Sequence, residues 1–335
     1  MTADRARAGT VTALIPHYGD PEPTLALVRV LQESPGESLA AIVVSDDFSP
    51  EPFPDLPHSG GLPATVVRRE ANGGFGANVN TGLAEVHTEL VLVLNSDVEI
   101  TGADIDALVA AAAPYQPAVA SPQVVHHDGA PQYSGRHFPT VLHQTVEWLS
   151  PLARFREHRL LHELVGHDMR AVDATAPVSV DWVMGAVMLL PTAQVRQVGG
   201  LDESYFMNSE EVDLQLRLRT LGVPSLVIPS VRVAHVGGAS SDPLRRRAWL
   251  VNSRYRYAQK WGHPRALKAA LTVATGVNFA VNSVRQRLGT EVDARRVFRD
   301  EMSLVRGTVG RDRQTGNGHA SSRNNDDAIG GIEHA

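Results

Sequence analysis

Short apolar runs separated by helical stretches fill the first third of this chain. Residues 11–16 are such a run, closed by Pro16 and the turn-like His17, Tyr18, Gly19 and Asp20. A run this short, with few turn residues inside it, reads as a strand buried on both faces. Residues 24–32 carry helical spacing. Residues 39–44 are a second strand that stops at Ser45, Asp46 and Asp47, and a Pro/Gly-rich loop over 50–63 leads to a third at 64–67. Asn72, Gly73, Gly74, Phe75 and Gly76 make a turn before a helix over 77–87, and residues 89–94 form a fourth strand that ends at Asn95, Ser96 and Asp97. Thr101 and Asp104 have the spacing of a capping box and start a helix that runs to Ala113. Strands alternating with helices predict an α/β fold around a mainly parallel sheet.

The second half is less regular. Residues 119–125 are strand-like, and 148–165 have helical spacing at Leu152, Phe155, Leu160, Leu161 and Leu164. Residues 180–190 are apolar and β-rich around Gly185, 226–228 and 231–233 read as two short strands, and 243–260 and 265–288 read as helices. The stretch 307–335 is polar and rich in Gly, Asn, Ser and Asp, a composition that cannot bury a core, so it is expected to be disordered. There is no internal repeat. With 335 residues and 43% hydrophobic content, the chain has room for one large α/β domain or two small ones. A net charge of -6 argues against a nucleic-acid partner. The absence of cysteine excludes disulfides, thiolate metal sites and cysteine nucleophiles. Residues 1–9 show no signal-peptide core, and no run reaches the ~18 apolar residues of a membrane span. The expectation is a cytoplasmic protein, with peripheral attachment to a membrane surface left open.

Each polar cluster at a strand or helix end has a chemical reading and a plainer one. Asp97 sits at the C-terminal edge of a buried strand, where α/β folds bind ligands, and a carboxylate is a hard donor for Mg²⁺ or Mn²⁺. The plainer reading is a strand-closing turn. Asp46 is placed to accept hydrogen bonds from a base or ribose, or to close its strand with an Asx turn. The loop over 72–76 resembles a phosphate cradle before a helix, or is only a tight turn, and it matches neither GxGxxG nor the P-loop. Asn208 and Glu211 have capping-box spacing ahead of a helix over 212–221, and acids suit the positive helix end. A carboxylate at a crevice-facing helix start is also a general-base candidate, and Glu210, Glu211 and Asp213 form one acidic cluster. A lone histidine such as His235 is more often structural, yet neutral imidazole is a good Mn²⁺ ligand beside Asp97. His126 and His127 lie in a loop without zinc spacing. Arg245, Arg246, Arg247, Arg254 and Arg256 cluster beside Trp249, Tyr255 and Tyr257, as a solvated helix face or as a contact for lipid phosphates or an anionic membrane.

In their joint order these segments resemble the inverting family 2 glycosyltransferases, especially bacterial rhamnosyltransferases of cell-envelope polymers. The resemblance covers roughly residues 11–262. It is carried by the first strand and its turn, Val44 to Asp47, Asn72 to Gly76 with Asn80, Asn95 to Asp97, and Asp181 to Gly185. Gly199 to Met207, Glu210 to Leu214, and His235 with Gly237, Gly238 and Ser240 complete it. The resemblance implies a GT-A nucleotide-diphospho-sugar transferase fold, with a mostly parallel central sheet, helices on both faces and added C-terminal helices. It implies a donor site at Pro16, Tyr18, Asp46, Asn72, Gly74, Asn80, Asn95, Ser96 and Asp97, with Asp46 on the base or ribose. It implies Mg²⁺ or Mn²⁺ held on the diphosphate by Asp97 and His235, and an acceptor site at Trp182, Gly185, Asp202 and Glu210. Glu211 would deprotonate the acceptor hydroxyl for in-line displacement at the anomeric carbon. Three residues depart from the family pattern: Glu211 stands where Asp is usual, Ser96 replaces a common Pro, and Pro16-His17-Tyr18-Gly19 replaces Val-Asn-Tyr-Asn. Glu210 and Asp213 stay open as alternative bases.

The expected organisation is a flexible 1–9, a GT-A domain over 10–241, a helical region over 242–306 and the tail over 307–335. Within the domain a nucleotide-binding half runs to about 120, with an acceptor half over 121–241. The expected activity is metal-dependent transfer of a sugar, rhamnose foremost, from a dTDP- or UDP-sugar to a saccharide or polyprenyl-diphospho-sugar. A nucleotidyltransferase on a similar fold is one rival, but it would want a basic Gly-rich N-terminal signature that this sequence lacks. A catalytically impaired nucleotide-sugar-binding protein is the other.

Overall fold

The computed structural model describes residues 10–56, 61–155, 157–236 and 243–307. The expected flexible start over 1–9, the tail from 308 on, and Gly237, Gly238 and Ser240 lie outside the described residues. In chain order the elements are β1 (Val11–His17), α1 (Glu22–Glu33), β2 (Leu39–Asp46), β3 (Ala64–Arg68), α2 (Phe75–Leu83), β4 (Leu90–Leu94), β5 (Val98–Glu99), α3 (Gly102–Ala112), β6 (Val119–Val125) and β7 (Gly135–Arg136). There follow α4 (Val141–Trp148), α5 (Arg159–Val165), α6 (Met169–Asp173), β8 (Val178–Val180), β9 (Trp182–Val183), β10 (Val187–Pro191), α7 (Thr192–Gln197), α8 (Glu210–Thr220) and β11 (Ser225–His235). Helices α9 (Pro243–Trp261), α10 (Pro264–Arg287) and α11 (Ala294–Arg306) close the series.

The described residues of Met1–Phe138 and Asp168–Ser240 form one compact unit, and those of Pro139–His167 and Ser241–Ala335 a second. In the first unit the strands run in the order β3-β2-β1-β4-β10-β6-β11-β5, with β8 added beside β11. Strands β3, β2, β1 and β4 run parallel to one another. The apolar runs of β1 and β4 are buried on both faces, the condition central parallel strands require. Leu14 and Val43 from this sheet pack with Val79 and Leu83 of α2, which follows the loop over 72–76.

The less regular second half has a physical cause. Strand β10 runs antiparallel between β4 and β6, while β6 and β11 pair in parallel. The apolar stretch over 180–190 is broken at Asp181 and at 184–186 into three short strands that serve different partners. The two short strands read at 226–228 and 231–233 are one strand, β11, whose register against β6 shifts between Ile228 and Arg232. Pro229 lies in that shift, where its missing N–H costs no ladder bond. The capping box at Thr101 and Asp104 forms in both directions, with Thr101 Oγ1 accepting Asp104 N and Asp104 accepting Thr101 N.

The second unit is helical. Residues 139–167 group with the C-terminal helices instead of with the rest of 10–241. Asn278 on α10 explains this: its Nδ2 donates to the Trp148 carbonyl at 2.9 Å and its Oδ1 accepts from Ser150 N at 3.1 Å, closing the end of α4. The Trp148 indole donates to Thr275 Oγ1 at 2.8 Å. The helical spacing over 148–165 is broken by a 3₁₀ segment at Ser150–Phe155 before α5 begins. Among the described residues no helix is long and apolar enough to cross a membrane.

One loop fixes how α2 meets the rest of the first unit. Gly74 has φ 84°, and a Cβ there would lie 1.8 Å from the Phe206 carbonyl oxygen. Gly74→Ala is expected to destabilise the fold by roughly 1–3 kcal/mol. An unchanged urea midpoint in that variant would contradict the tight approach of these two loops.

Candidate active site

The end of β4 meets the end of β11 through β5. Glu99 pairs with Ala234 and Val98 with His235, and Val236 N donates to the Asp97 carbonyl at 3.1 Å. This brings the His235 imidazole, 140 residues from Asn95 in sequence, to the strand edge. His235 Nε2 lies 3.1 Å from Asp97 Oδ1 and 3.4 Å from Asn95 Nδ2. Its other ring nitrogen is held by Gln132. Gln132 Nε2 donates to the His235 carbonyl at 2.6 Å, so Gln132 Oε1 is the atom facing Nδ1 at 2.8 Å, and Nδ1 carries the proton. In the neutral ring Nε2 therefore presents a lone pair to a carboxylate oxygen. Two acceptors at this distance call for a shared proton or a cation between them, and the donor set of carboxylate and imidazole fits Mg²⁺ or Mn²⁺. Asn95, Asp97 and His235 thus come together as the sequence motifs imply.

The acidic cluster lies on the same side of the sheet. Val187 pairs with Leu94, and Asn95 N donates to the Ala186 carbonyl at 2.9 Å, so the residues leading into β10 run beside the end of β4. Gly185, next in line, packs against Glu211, whose Cγ would lie 3.8 Å from a Cβ at that glycine. Glu210 is buried and Glu211 is half-buried, and one carboxylate oxygen of each, Oε2, is buried with no hydrogen-bond partner. Burial, and then the charge of Glu211, pushes the Glu210 carboxyl well above the usual range. Burial also raises Glu211, against the pull of its own backbone amide and of Arg136. Arg136 lies over the Trp182 ring at 5.4 Å, and the two are paired across β7 and β9. The Trp182 indole donates to the His137 carbonyl at 2.9 Å.

The capping reading of this cluster fails. The residue before α8 is Ser209, not Asn208, and no side chain caps the helix. Asp213 is excluded as a base by a different geometry: fully buried, it takes a 2.7 Å ion pair from Arg217, which anchors α8. Glu210 and Glu211 remain, and Glu211 alone has appreciable exposure. Gln215, one helical turn on, exchanges two 2.8 Å bonds with the backbone of Val183 and so fixes α8 against β9.

Several expected donor contacts are spent within the fold. Gly73 and Gly74 donate their amides to Asp47 at 2.9 and 2.8 Å, and Phe75 N donates to the Phe206 carbonyl. Those N–H groups therefore face a carboxylate of the chain itself. Burial raises the Asp47 carboxyl, and these amides and Arg69 oppose the rise. Asp46 is fully buried and accepts from Ser49 N, Phe53 N and Arg68. Burial alone would raise its carboxyl, but those bonds outweigh it and hold it below the usual range. Asp46 thus shapes the loop after β2 and presents no surface to a base. Asn80 has both side-chain atoms committed, its amide to the Leu201 carbonyl and Glu203, its oxygen to Leu201 N. Asp202 closes a turn by accepting from Ser204 N and Oγ. Pro16 pairs with Ser45 in the sheet, Asn72 is exposed, and Ser96 is half-buried between Asn95 and Asp97.

Three residues matter here that the sequence did not single out. Gln132 lies in the loop before β7 and holds His235, and Arg136 in β7 acts by its charge on Glu211. Phe48 stands exposed beside the exposed Tyr18, with Arg68 over its ring at 5.1 Å. The backbone carries the signal that spacing lacks. The non-glycine residues with positive φ among those described are Phe48, Tyr133, Asn208 and Ser209. Each flanks a site segment: Asp46–Asp47, Gln132 with Arg136, and Glu210–Glu211. Such strain persists where surrounding structure over-determines it, and it concentrates at functional sites.

Residues 12–171 match the family model described as "Glycosyl transferase family 2". The N-acetylglucosaminyl-diphospho-decaprenol L-rhamnosyltransferase of Mycobacterium tuberculosis (strain ATCC 25618 / H37Rv) is 27% identical over 317 residues, covering 82% of this chain and 95% of that protein. The rhamnosyltransferase WbbL of Escherichia coli (strain K12) is 34% identical over 80 residues, 23% of this chain and 30% of that one. Among solved structures, the mannosyltransferase PcManGT from Pyrobaculum calidifontis, in complex with GDP-Man and Mn²⁺, superposes with TM-score 0.54 at 15% identity, covering 90% of this chain and 86% of that one. The fold is the GT-A fold.

The buried Glu210 yields a stability test. Its folded carboxyl holds a proton that the unfolded chain releases, so its contribution declines as pH rises through and above the ordinary glutamate range. Glu210→Gln is expected to raise the melting temperature near neutral pH, with the gain shrinking toward about pH 4.5. A thermal melt showing no gain at neutral pH would place the charge of Glu210 in a satisfied environment instead.

Proposed function

We propose that the chain, whose residues 12–171 match the glycosyl transferase family 2 model, moves a sugar from a nucleotide-diphospho-sugar to a lipid-linked saccharide in cell-envelope glycan synthesis. Rhamnose is the foremost sugar and dTDP or UDP the nucleotide. The observation that carries the reading is the single sheet edge shared by two different chemistries, an oriented imidazole–carboxylate pair at His235 and Asp97 and a buried carboxylate pair at Glu210 and Glu211. The mycobacterial relative, named for an N-acetylglucosaminyl-diphospho-decaprenol acceptor and matched over nearly its whole length, supports a polyprenyl-diphospho-sugar as acceptor.

Asp97 and His235 would hold Mg²⁺ or Mn²⁺, which supplies positive charge against the diphosphate leaving group. Gln132 keeps the His235 proton on Nδ1, so the imidazole offers its lone pair in the right direction. Tyr18 and Phe48 present aromatic surface at the ends of β1 and β2, where a nucleotide base would stack. Glu211, the more exposed of the two acids, takes the proton of the acceptor hydroxyl. Its raised affinity for a proton suits a base better than an ordinary exposed carboxylate, and Arg136 keeps enough negative charge on it to act. Glu210, the more deeply buried, stays protonated beside it and spares the site a second like charge. Trp182 and Gly185 border the space on the Glu211 side. The hydroxyl attacks the anomeric carbon opposite the diphosphate, so the configuration inverts.

Two measurements test this. Glu211→Gln is expected to lower kcat roughly 10²–10⁴-fold with donor affinity unchanged. In the wild type kcat should rise with pH as Glu211 loses its proton, along a limb displaced above the ~4.3 of a free glutamate, and that limb should vanish in the variant. Transfer by Glu211→Gln at wild-type rate would sink the assignment. Gln132→Leu should weaken Mn²⁺-dependent binding of UDP or dTDP roughly 10–100-fold, read by calorimetry. Metal-dependent affinity equal to wild type in that variant, or in Asp97→Ala, would remove the metal pair from the reading.

A further inference from the structure

We propose that the helical unit docks on an anionic lipid surface through one face of α10. This rests on the surface of that unit and goes beyond the transferase reading. Helix α10 is 24 residues long and buries Leu267, Leu271, Ala274, Thr275, Asn278 and Asn282. A second apolar stripe runs along a different face: Ala266, Val273, Val277, Ala280, Val284 and, just past the helix end, Leu288. Their spacing of three, four or seven residues keeps them on one line of a helix. They face solvent, with Val273 68%, Val284 54% and Leu288 80% exposed. An apolar stripe of this length held in water marks a contact surface.

Charge identifies what it contacts. Residues 243–290 contain ten Lys and Arg and no Asp or Glu, in a chain whose net charge is -6. At the 100° turn per residue of a helix, Arg265 and Arg287 fall along one flank of the stripe. Trp261, 39% exposed at the end of α9, has the Lys260 ammonium 5.5 Å from its ring centre. An indole partly in water beside a cation suits the interfacial zone of a bilayer. Ala280 also borders an open groove of 520 Å³ between α10 and α11, walled in part by Ser283, Arg287 and Arg295. A second copy of the chain is the poorer occupant. With no acid on α10, face-to-face helices would set cation against cation in either orientation. Within the arginine cluster of α9, Arg254 pairs with Glu147, and Arg247 lies 3.8 Å from Glu301 and over the Trp148 ring. Those two are engaged inside the unit, so the lipid-facing role moves from that cluster to α10. No described helix can span a bilayer, and the surface is that of a helix lying in the interface plane.

The test is co-sedimentation of the full chain with vesicles of phosphatidylcholine alone and with about 30% phosphatidylglycerol added. Binding is expected to the second only, and to weaken with salt. Val273→Glu with Val284→Glu, and separately Arg265→Glu with Arg287→Glu, should each lower partitioning roughly tenfold or more, with circular dichroism and melting unchanged. Should the glutamate pair perturb folding, Val273→Ser with Val284→Ser replaces it. Absence of wild-type binding, or undiminished binding by folded variants, overturns the proposal. So does a wild-type dimer that the valine variant dissolves, since the face would then belong to a second copy. Donor binding, measured separately by calorimetry, is untouched by any of these outcomes, so the two readings fail independently.

Discussion

The antiparallel pairing of β10 with β4 is the constraint on which the candidate site depends. Strand β4 is a parallel strand on one side and an antiparallel one on the other. Its C-terminal end therefore opens beside the residues that lead into β10. Asn95 bonds to Ala186, and Gly185 falls against Glu211 as a direct result. Side chains alternate faces along a strand, so a one-residue slip would turn Leu94 and Val187 out of the core and carry Asp97 away from His235. Residues from four distant parts of the chain share one edge because this register is held.

Burial then gives neighbouring carboxylates opposite characters. Asp46 and Asp213 are deep in the protein, yet each has an arginine at ion-pair distance and serves a structural task. Among the described residues Glu210 and Glu211 have no such cation at contact distance, and each keeps an oxygen without a hydrogen-bond partner. Desolvation without compensation is what makes a carboxyl avid for a proton. The distinction is one of partners, not of residue type or depth.

Much of the first unit was legible because it obeys two periods. Strands 1 to 4 and the helices between them show as short apolar runs and amphipathic stretches, and the end of the fourth strand marks Asp97. The C-terminal helices α9 and α10 were legible for the same reason. What failed to show was partnership. Nothing in the sequence around Asp46 says that Arg68, 22 residues on, will claim its carboxylate, or that Asp47 will take the amides of Gly73 and Gly74. Gln132 was invisible because its role exists only once β5 pairs with β11. Asn208 misled for a local reason: its spacing to Glu211 is that of a capping box, but the backbone turns left-handed at Asn208 and Ser209 and moves the helix start by one residue. The grouping of 139–167 with the C-terminal helices was hidden in one side chain, Asn278, whose amide closes a helix 130 residues away.

The contact between Gly74 and Phe206 has a mechanical meaning. Phe75 hangs from the same carbonyl, so the loop before α2 is pinned to the chain two residues ahead of Asn208. Asn208 and Ser209 are already wound into an unfavourable conformation, and Glu210 and Glu211 come next. A displacement of the loop at one end of this linkage cannot be absorbed at Phe206, where there is no free space, nor at the strained pair, which has little slack. A side chain added at residue 74 would therefore have to displace the stretch of chain that leads into Glu210 and Glu211.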